Sequence, residues 1–215
     1  VVPWSHLASL PFSIRCGIER ETLRATPRGQ LALTPHPREL GSKLTHPFIT
    51  TDFCEAQIEL ITPVATSVND SLQTLAAIHQ FVWSQLQDEV LWPSSMPCDL
   101  PAHDRIPLAE YGVSNSGLAK HTHRNGLGLR YGRSMQTICA VHYNVSFGED
   151  FFESLAKIEG KDNTAAYRSG RYFDLMRNFR RVSWLVVYLF GASPAVANSF
   201  VLGRAHNFST LDDST

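Results

Sequence analysis

The chain has 215 residues, with 19 Lys and Arg against 20 Asp and Glu, so its formal net charge is −1. This length suffices for one large domain or two small ones, and the balanced charge excludes a general electrostatic attraction to nucleic acid or anionic membranes. The longest strongly apolar run, residues 184–190, is far shorter than the roughly 18 residues of a membrane-spanning helix. We therefore expect a cytoplasmic protein that binds neither nucleic acid nor membrane. Its four cysteines show no paired metal or redox spacing and predict reduced thiols.

The first predicted element is a β-hairpin over residues 14–34, with its turn at Pro27-Arg28-Gly29. It contains the sequence GIERETLR, in which Glu19 and Glu21 are separated by one residue. Residues i and i+2 of a strand project from the same face, so these carboxylates are predicted to lie side by side. Like charges so close together are unfavourable unless a cation lies near them.

A second strand is predicted around residues 55–61, where polar and apolar side chains alternate. Its polar face carries Glu55, Gln57 and Glu59. We place Glu55 outside the site, either as a solvated strand residue or as an ion-pair partner of Arg20 or Arg24.

A helix is predicted from residue 67 to about residue 89, with Ser67 or Asn69 as its N-cap. Residues 92–134 are rich in Pro, Gly, Ser and Asn, which favours a long functional loop or lid. His103, His121 and His123 are interpreted as solvated histidines of this loop. The apolar stripe of the helix is predicted to contain Leu72, Leu75, Ala76, His79, Val82, Trp83 and Leu86.

The sequence TICAVHYNVSF, residues 137–147, predicts a third strand with His142, Asn144 and Ser146 on one face and apolar residues on the other. Helices are predicted for FFESLAKIE, for residues 165–190 and, after a break at residues 191–194, for residues 194–202. The run WLVVYLF at residues 184–190 is predicted to be core.

Polar groups with period two thus occur on three predicted strands, although a solvated sheet face also produces such a pattern. Clustered glutamates, a histidine and Asp52 suit a hard divalent cation, and Mg²⁺ shared with phosphate oxygens fits this donor set best. A phosphate-binding loop, a GxGxxG motif and a GxSxG elbow are absent from the sequence. Any phosphate group would therefore be bound through metal ions and arginines.

Five segments in order, GIERETLR, LTHPFITTDFCEAQIELITP, WPSSMPC, RYGRSMQTICAVHYN and YLFGASPA, resemble the proteobacterial type of glutamate–cysteine ligase. The resemblance runs from about Ile14 to Leu202. It implies a ligase that joins the γ-carboxylate of glutamate to the amine of cysteine, using ATP and Mg²⁺, in the first step of glutathione synthesis. It also implies an α+β fold similar to the catalytic domain of glutamine synthetase, with a curved, largely antiparallel sheet and outer helices.

The resemblance implies two sets of site residues, and no catalytic acid or base. The residues expected to hold Mg²⁺ are Glu19, Glu21, Asp52, Glu59 and His142. Those expected to bind the amino-acid substrate are Phe53, Arg124, Leu127, Gln136, Ile138 and, with an alternative role in supporting the sheet, Asn144.

Two departures from the family pattern are visible. His123 stands where the family has an aromatic phenol, which leaves open another ATP-dependent carboxylate–amine ligase with a different acceptor. Family members are also more than twice as long, so we expect residues 1–215 to form the amino-terminal part of one catalytic domain. This part is expected to be inactive without the carboxy-terminal half, and a non-catalytic fragment or subunit is the remaining alternative.

Overall fold

The computed structural model describes residue 10, residues 12–191 and residues 195–210. Three short 3-10 turns, at Arg38–Leu40, His103–Arg105 and Ser134–Thr137, lie between the main elements. The strands within the described residues are β1 (Ile14–Ala25), β2 (Ile49–Thr51), β3 (Gln57–Ile61), β4 (Val90–Leu91) and β5 (Val141–Phe147). The helices there are α1 (Val68–Gln85), α2 (Asn115–Tyr131), α3 (Glu149–Glu159), α4 (Ala165–Phe190) and α5 (Asn198–Val201).

The strands form one sheet in the order β2-β3-β1-β4, and β5 also pairs with β1. The three pairings β1 with β3, β2 with β3, and β1 with β4 are antiparallel. Helices accompany this antiparallel sheet, which confirms the predicted α+β class. No helix in the described part of the chain combines the length and the apolar character needed to cross a bilayer.

The described residues divide into two compact units. One takes its residues from the segments Val1–Gly17, Val64–Ser71 and Asn144–Pro194. The other takes them from Ile18–Pro63, Leu72–Tyr143 and Ala195–Thr215, and it contains every candidate site residue except Asn144. That residues 1–215 belong to a single catalytic domain stays a prediction.

The predicted hairpin is present at its turn but is short on its return side. The Gly29 N–H donates to the Thr26 carbonyl at 2.9 Å, and Gly29 has a φ of 78°, which a residue without a Cβ adopts without strain. The return side is limited to one bridge to β1, between Leu31 and Ala25, while Gln30 forms a parallel bridge to Asp99.

Helix α1 begins where the sequence pattern predicts. The side of the helix that packs against the sheet is narrower than the predicted apolar stripe. The Ser67 hydroxyl accepts a hydrogen bond from the Asp70 N–H at 3.1 Å, so Ser67 is the cap. Three predicted stripe residues, Leu72, Ala76 and Trp83, are exposed, since only a narrow side of α1 meets the sheet. The core on this side of the sheet contains Leu40, Ile49, Ile58, Leu60 and Val82, with Leu75, Ile78, Leu86 and Leu91 packed against it.

The prediction of a long loop over residues 92–134 is wrong, because α2 occupies 17 of these residues. The Ser114 hydroxyl caps the helix by accepting from the Gly117 N–H at 3.1 Å. A Cβ on Gly117 would lie 2.6 Å from the Tyr111 carbonyl oxygen, so the close start of the helix requires glycine. The glycines of α2 have a low helix propensity, so the composition of this segment is typical of a loop although it forms a helix. His121 and His123 consequently lie on a helix.

The prediction of a buried segment at residues 184–190 is also wrong. Tyr188 and Phe190 are 79% and 80% exposed, and no residue of α4 is buried. Likewise, Val141, Tyr143 and Val145 on the apolar side of β5 are exposed, because no described element covers that side. The predicted break after α4 falls at Gly191 and on residues 192–194, which lie outside the described residues. The last helix begins at Asn198 instead of residue 194.

A second core contains three of the four cysteines, Cys54, Cys98 and Cys139. All four thiols are free, in agreement with the predicted reduced state, and all four are buried. Burial raises the pKa of Cys54 to about 12 and that of Cys98 to about 11, so both remain protonated and unreactive at neutral pH. Around these thiols pack Leu23, Ala25, Leu31, Ala32, Phe53, Ala56, Leu100, Ile106 and Phe200.

A buried ionic network joins β1 to the loops beside it. The Arg24 side chain, 1% exposed, donates 2.6 Å hydrogen bonds to the Glu89 carboxylate and to the Thr34 hydroxyl. Neither alternative for Glu55 is correct, because its carboxylate binds Lys43 and accepts from the His36 and Glu110 N–H groups. Burial alone would raise the pKa of Glu55, but these three donors lower it overall, which keeps the group ionised.

Replacing Arg24 by alanine should destabilise the protein strongly, because it leaves the Glu89 carboxylate and the Thr34 hydroxyl without their buried donor. We expect the free energy of unfolding in urea at pH 7 to fall by about 3 kcal/mol. Arg177→Ala is the matched control, since Arg177 is an exposed arginine paired with Asp174. Equal stability of the two variants would show that the buried network contributes nothing beyond a surface ion pair.

Candidate functional site

The antiparallel register places three of the predicted metal ligands on one face of the sheet. Glu21 of β1 lies directly opposite Glu59 of β3, and Glu19 lies two residues before Glu21 on the same face. Thr50 of β2 also lies opposite Glu59, and Asp52 follows Thr50 by two residues. The carboxylates of β1, β3 and the end of β2 therefore converge on one surface, which we call the acidic face. It consists of Glu19, Glu21, Asp52 and Glu59.

Three carboxylates of the acidic face have raised pKa values, and Arg124 opposes the increase at Asp52. Burial raises the pKa of Glu59 to about 7, and the charges of Asp52, Glu21 and Glu19 add to this increase. Burial also raises the pKa values of Glu21 and Asp52. His142 opposes the increase at all three groups. Such a surface is stabilised by any cation that binds to it.

Two polar contacts hold the carboxylates of β1. The Glu19 carboxylate lies 3.3 Å from Nδ1 of His142, which brings the predicted histidine to the acidic face from β5. The Glu21 carboxylate accepts from the Ala140 N–H at 2.9 Å, while the Glu21 N–H donates to the Ala140 carbonyl at 2.9 Å. These contacts fix strand β1 against β5 and against the residue that precedes it.

Arg124, predicted to bind a substrate carboxylate, is held beside the acidic face. Its Nε donates to the Asp52 carbonyl, and one terminal nitrogen donates to the Lys120 carbonyl at 3.1 Å. Its guanidinium lies 4.7 Å from the centre of the Tyr111 ring, within the range of a cation–π interaction. The guanidinium keeps further donors available, because these two bonds use only part of its five N–H groups.

The apolar members of the predicted substrate set gather in the core next to Arg124. Phe53 is buried, and Leu127 and Ile138 pack partly buried against the same core. Gln136 lies half-buried in the last 3-10 turn. Asn144 lies on β5, two residues after His142, in the other compact unit. The structure thus brings Asp52, Phe53, Arg124, Leu127 and Ile138 into one region.

Sequence reasoning missed Tyr111, which ties this region together. Its hydroxyl donates to the Thr51 carbonyl at 2.5 Å and lies 3.2 Å from the Asp52 carbonyl. The Nζ atoms of Lys120 and Lys43 lie 5.1 and 6.0 Å from the centre of its ring. No periodic pattern surrounds Tyr111 in the sequence, so only the folded chain reveals this convergence.

The oxygen donors of the acidic face suit a divalent cation whose coordination is completed by groups from outside the protein chain. In the described part of the chain, no three His, Cys, Asp or Glu side chains are arranged to hold an ion by themselves. Mg²⁺ usually binds one or two carboxylates and completes its octahedron with water and phosphate oxygens. The opposed pair Glu21 and Glu59, with Asp52 nearby, supplies oxygen donors of this kind.

Comparison with known proteins defines the class of this α+β fold. A solved glutamate–cysteine ligase from Francisella tularensis, in complex with AMP, superposes with a TM-score of 0.85 at 38% identity, covering 95% of this chain and 40% of that one. A bifunctional glutathione synthetase from Pasteurella multocida superposes with a TM-score of 0.75 at 31% identity, covering 85% of this chain and 24% of that one. The chain is therefore similar in fold to ligases.

Sequence comparison gives the particular family. Residues 5–215 match the model of the glutamate-cysteine ligase family, so the chain belongs to that family. It is 52% identical to the glutamate–cysteine ligase of Pseudomonas putida over 97% of its own length and 40% of the relative's. It is 54% identical to that of Alcanivorax borkumensis over 90% of its own length and 37% of the relative's. The chain thus spans about 40% of the length of the Pseudomonas relative.

The raised pKa of Glu59 predicts a decrease in stability with rising pH in buffer free of divalent cations. The folded protein holds this proton up to about pH 7, whereas an unfolded glutamate loses it near 4.5. The unfolded state binds fewer protons between these values, so the free energy of unfolding should fall by about 1 kcal/mol from pH 4.5 to pH 7, after allowance for solvent screening.

Glu59→Gln should remove this part of the pH dependence in urea unfolding, while Glu39→Gln, at an exposed position outside the acidic face, should keep it. An unchanged slope in Glu59→Gln would show that Glu59 titrates normally in the folded protein.

Proposed function

We propose that this chain is part of a cytoplasmic enzyme that joins the γ-carboxylate of glutamate to the amine of cysteine with ATP and Mg²⁺. The observation that carries the proposal is the acidic face, where four carboxylates from three strand segments converge beside an arginine with free donors. Family membership supports the proposed reaction class, and the AMP in the complex of the Francisella relative supports a nucleotide substrate.

The acidic face, which consists of Glu19, Glu21, Asp52 and Glu59, would hold Mg²⁺ together with His142. When bound, Mg²⁺ would neutralise phosphate charge and orient the phosphates of ATP. The contribution of the chain is to keep these side chains on one face through the strand register, without a rearrangement when the ligand arrives. His142, held against Glu19, adds a nitrogen donor at the edge of this face.

The reaction proposed for the complete enzyme has two steps. An oxygen of the glutamate γ-carboxylate attacks the γ-phosphorus of ATP, which breaks the bond to ADP and gives γ-glutamyl phosphate. The amine of cysteine then attacks the acyl carbon, expels phosphate and loses a proton, which forms the amide. Because the acyl phosphate is open to hydrolysis, the site has to exclude water between these steps.

The acceptor amino acid is proposed to bind through Arg124 and the neighbouring apolar surface. The free N–H groups of Arg124 suit a carboxylate, and the planar guanidinium can bind it in a bidentate manner. Leu127, Ile138 and Phe53 form the apolar side that would receive a small thiol-bearing side chain, and Gln136 is proposed as a polar contact. A contact of Asn144 with the substrate stays a prediction. His123 lies on the exposed surface of α2, and the altered residue at this position is the reason to test other amines.

The test uses an extended chain, defined as residues 1–215 joined to the part of the Pseudomonas putida relative that follows its matched region. We expect γ-glutamylcysteine by mass spectrometry only when glutamate, cysteine, ATP and Mg²⁺ are all present. Residues 1–215 alone should give no product. Formation of ADP with another amine would overturn the assignment of cysteine, and a folded extended chain without any product would overturn the ligase proposal.

Glu21→Gln in the extended chain should lower kcat at least about 100-fold, because it removes one charge from the acidic face. The amide oxygen of the substituted side chain can still accept from the Ala140 N–H, so the thermal midpoint should change little. Glu39→Gln is the control and should keep full activity. Near-normal turnover of Glu21→Gln at saturating Mg²⁺ would exclude Glu21 as a ligand.

Arg124→Ala should raise the KM for cysteine about 10- to 100-fold and leave the KM for ATP nearly unchanged, since a charge-assisted contact to the acceptor is lost. Arg130→Ala, an exposed arginine of the same helix, is the matched control. If the KM for cysteine stays the same, Arg124 does not bind the acceptor.

A further inference from the structure

Among the described residues, the contacts that anchor helix α4 lie near its beginning. The Tyr172 hydroxyl accepts from the Phe147 N–H at 3.0 Å, and Arg171 pairs with Glu159 at 3.1 Å. The Tyr172 ring also lies 5.3 Å from the Phe152 ring, centre to centre. After Asp174, every residue of α4 except Ser183 is exposed. The last 16 residues of the helix, residues 175–190, are about 24 Å long and, apart from Ser183, exposed, and we call them the free segment.

The sequence of the free segment is that of a packed helix. Five apolar residues recur at alternating spacings of four and three: Leu175, Phe179, Val182, Val186 and Leu189. This spacing produces one continuous stripe along a helix. Each of the five stripe residues is nevertheless exposed by more than 40%.

The end of the free segment is apolar on all sides. Residues 184–190 contain no polar side chain apart from the Tyr188 hydroxyl and the Trp184 indole N–H, whereas Arg177, Arg180 and Arg181 line the preceding turns. A helix that is apolar all round is normally enclosed by protein. A symmetric contact with a second copy would cover one side of this helix, so enclosure requires several surrounding elements.

We infer that the free segment is the docking surface for the polypeptide that completes the family's full length, with residues 184–190 enclosed by it. This chain spans 40% of the Pseudomonas putida relative, so a larger amount of chain is available there to surround the helix. An exposed apolar surface of this length is typical of an interface and not of a free surface. The inference goes beyond the proposed reaction and does not depend on the identity of its substrates.

Hydrogen exchange compares the free segment in residues 1–215 alone and in the extended chain. The amides of residues 175–190 should exchange at least about 100-fold more slowly in the extended chain, because packing suppresses local opening. Equal exchange rates in the two proteins would overturn the inference.

A substitution in the free segment is compared with a control substitution, each in residues 1–215 alone and in the extended chain. Leu189→Asp should lower the thermal midpoint of the extended chain by about 5 °C and that of residues 1–215 alone by less than about 1 °C, since the charge is buried only in the former. Val113→Asp is the control, because Val113 is 91% exposed and lies outside α4, and it should change neither midpoint. Leu189→Ala, with an expected decrease of about 2 °C, keeps the comparison possible if the aspartate variant does not fold.

Two other occupants would contradict the inference. If residues 1–215 form a dimer in light scattering that Leu189→Asp dissociates, while Leu189→Asp has no effect on the extended chain, the surface binds a second copy. If the extended chain binds anionic lipid vesicles through the free segment, with rapid exchange of that segment in their absence, the surface binds membrane. Because protein stability and dipeptide formation are measured separately, a failure here is distinguishable from a failure of the proposed ligase function.

Discussion

The strand register between β1 and β3 determines where the carboxylates of the candidate site lie. It places Glu21 opposite Glu59, and the alternation of β1 places Glu19 on the same face. These carboxylates repel one another and are partly desolvated, which raises the pKa of Glu59 to about 7. The opposite face of the same strands packs on α1 through Ile58 and Leu60, so a register shift would bury the acids and expose the core. The apolar core thus holds an electrostatically unfavourable surface in place.

The neighbouring loops are fixed by polar contacts that the sheet alone does not provide. Glu55 binds Lys43 and the backbone N–H groups of His36 and Glu110, which positions the approach to Tyr111. Tyr111 in turn donates a hydrogen bond to the backbone at the end of β2, and its ring makes a cation–π contact with Arg124. Through these contacts, the carboxylates and the arginine occupy one region although α2 and β2 are distant in sequence. Preorganisation of this kind is what the proposed phosphoryl transfer requires.

The free segment of α4 contributes little to the stability of residues 1–215, and its proposed role is to bind further polypeptide. The first turns of α4 are anchored on Phe147, Phe152 and Glu159, whereas no residue of 175–190 is buried. An isolated helix of about 16 residues is marginal in water, so its apolar stripe has its main effect when another element covers it. The site and the docking surface lie in different compact units, and each can be tested without the other.

The sequence by itself determined the polar alternation of the strands, a capped start of α1 at Ser67 or Asn69, the bounds of α4 and the family. These properties follow from local periodicity, from capping chemistry and from residue identity, all of which are written along the chain. Only the tertiary structure decided that Tyr111 joins Asp52 to Arg124, that Glu55 pairs with Lys43, that the glycines of α2 lie within a helix and that residues 184–190 are exposed. Such features depend on which distant segments meet, and local patterns do not encode whether an apolar face finds a partner within the same stretch of chain.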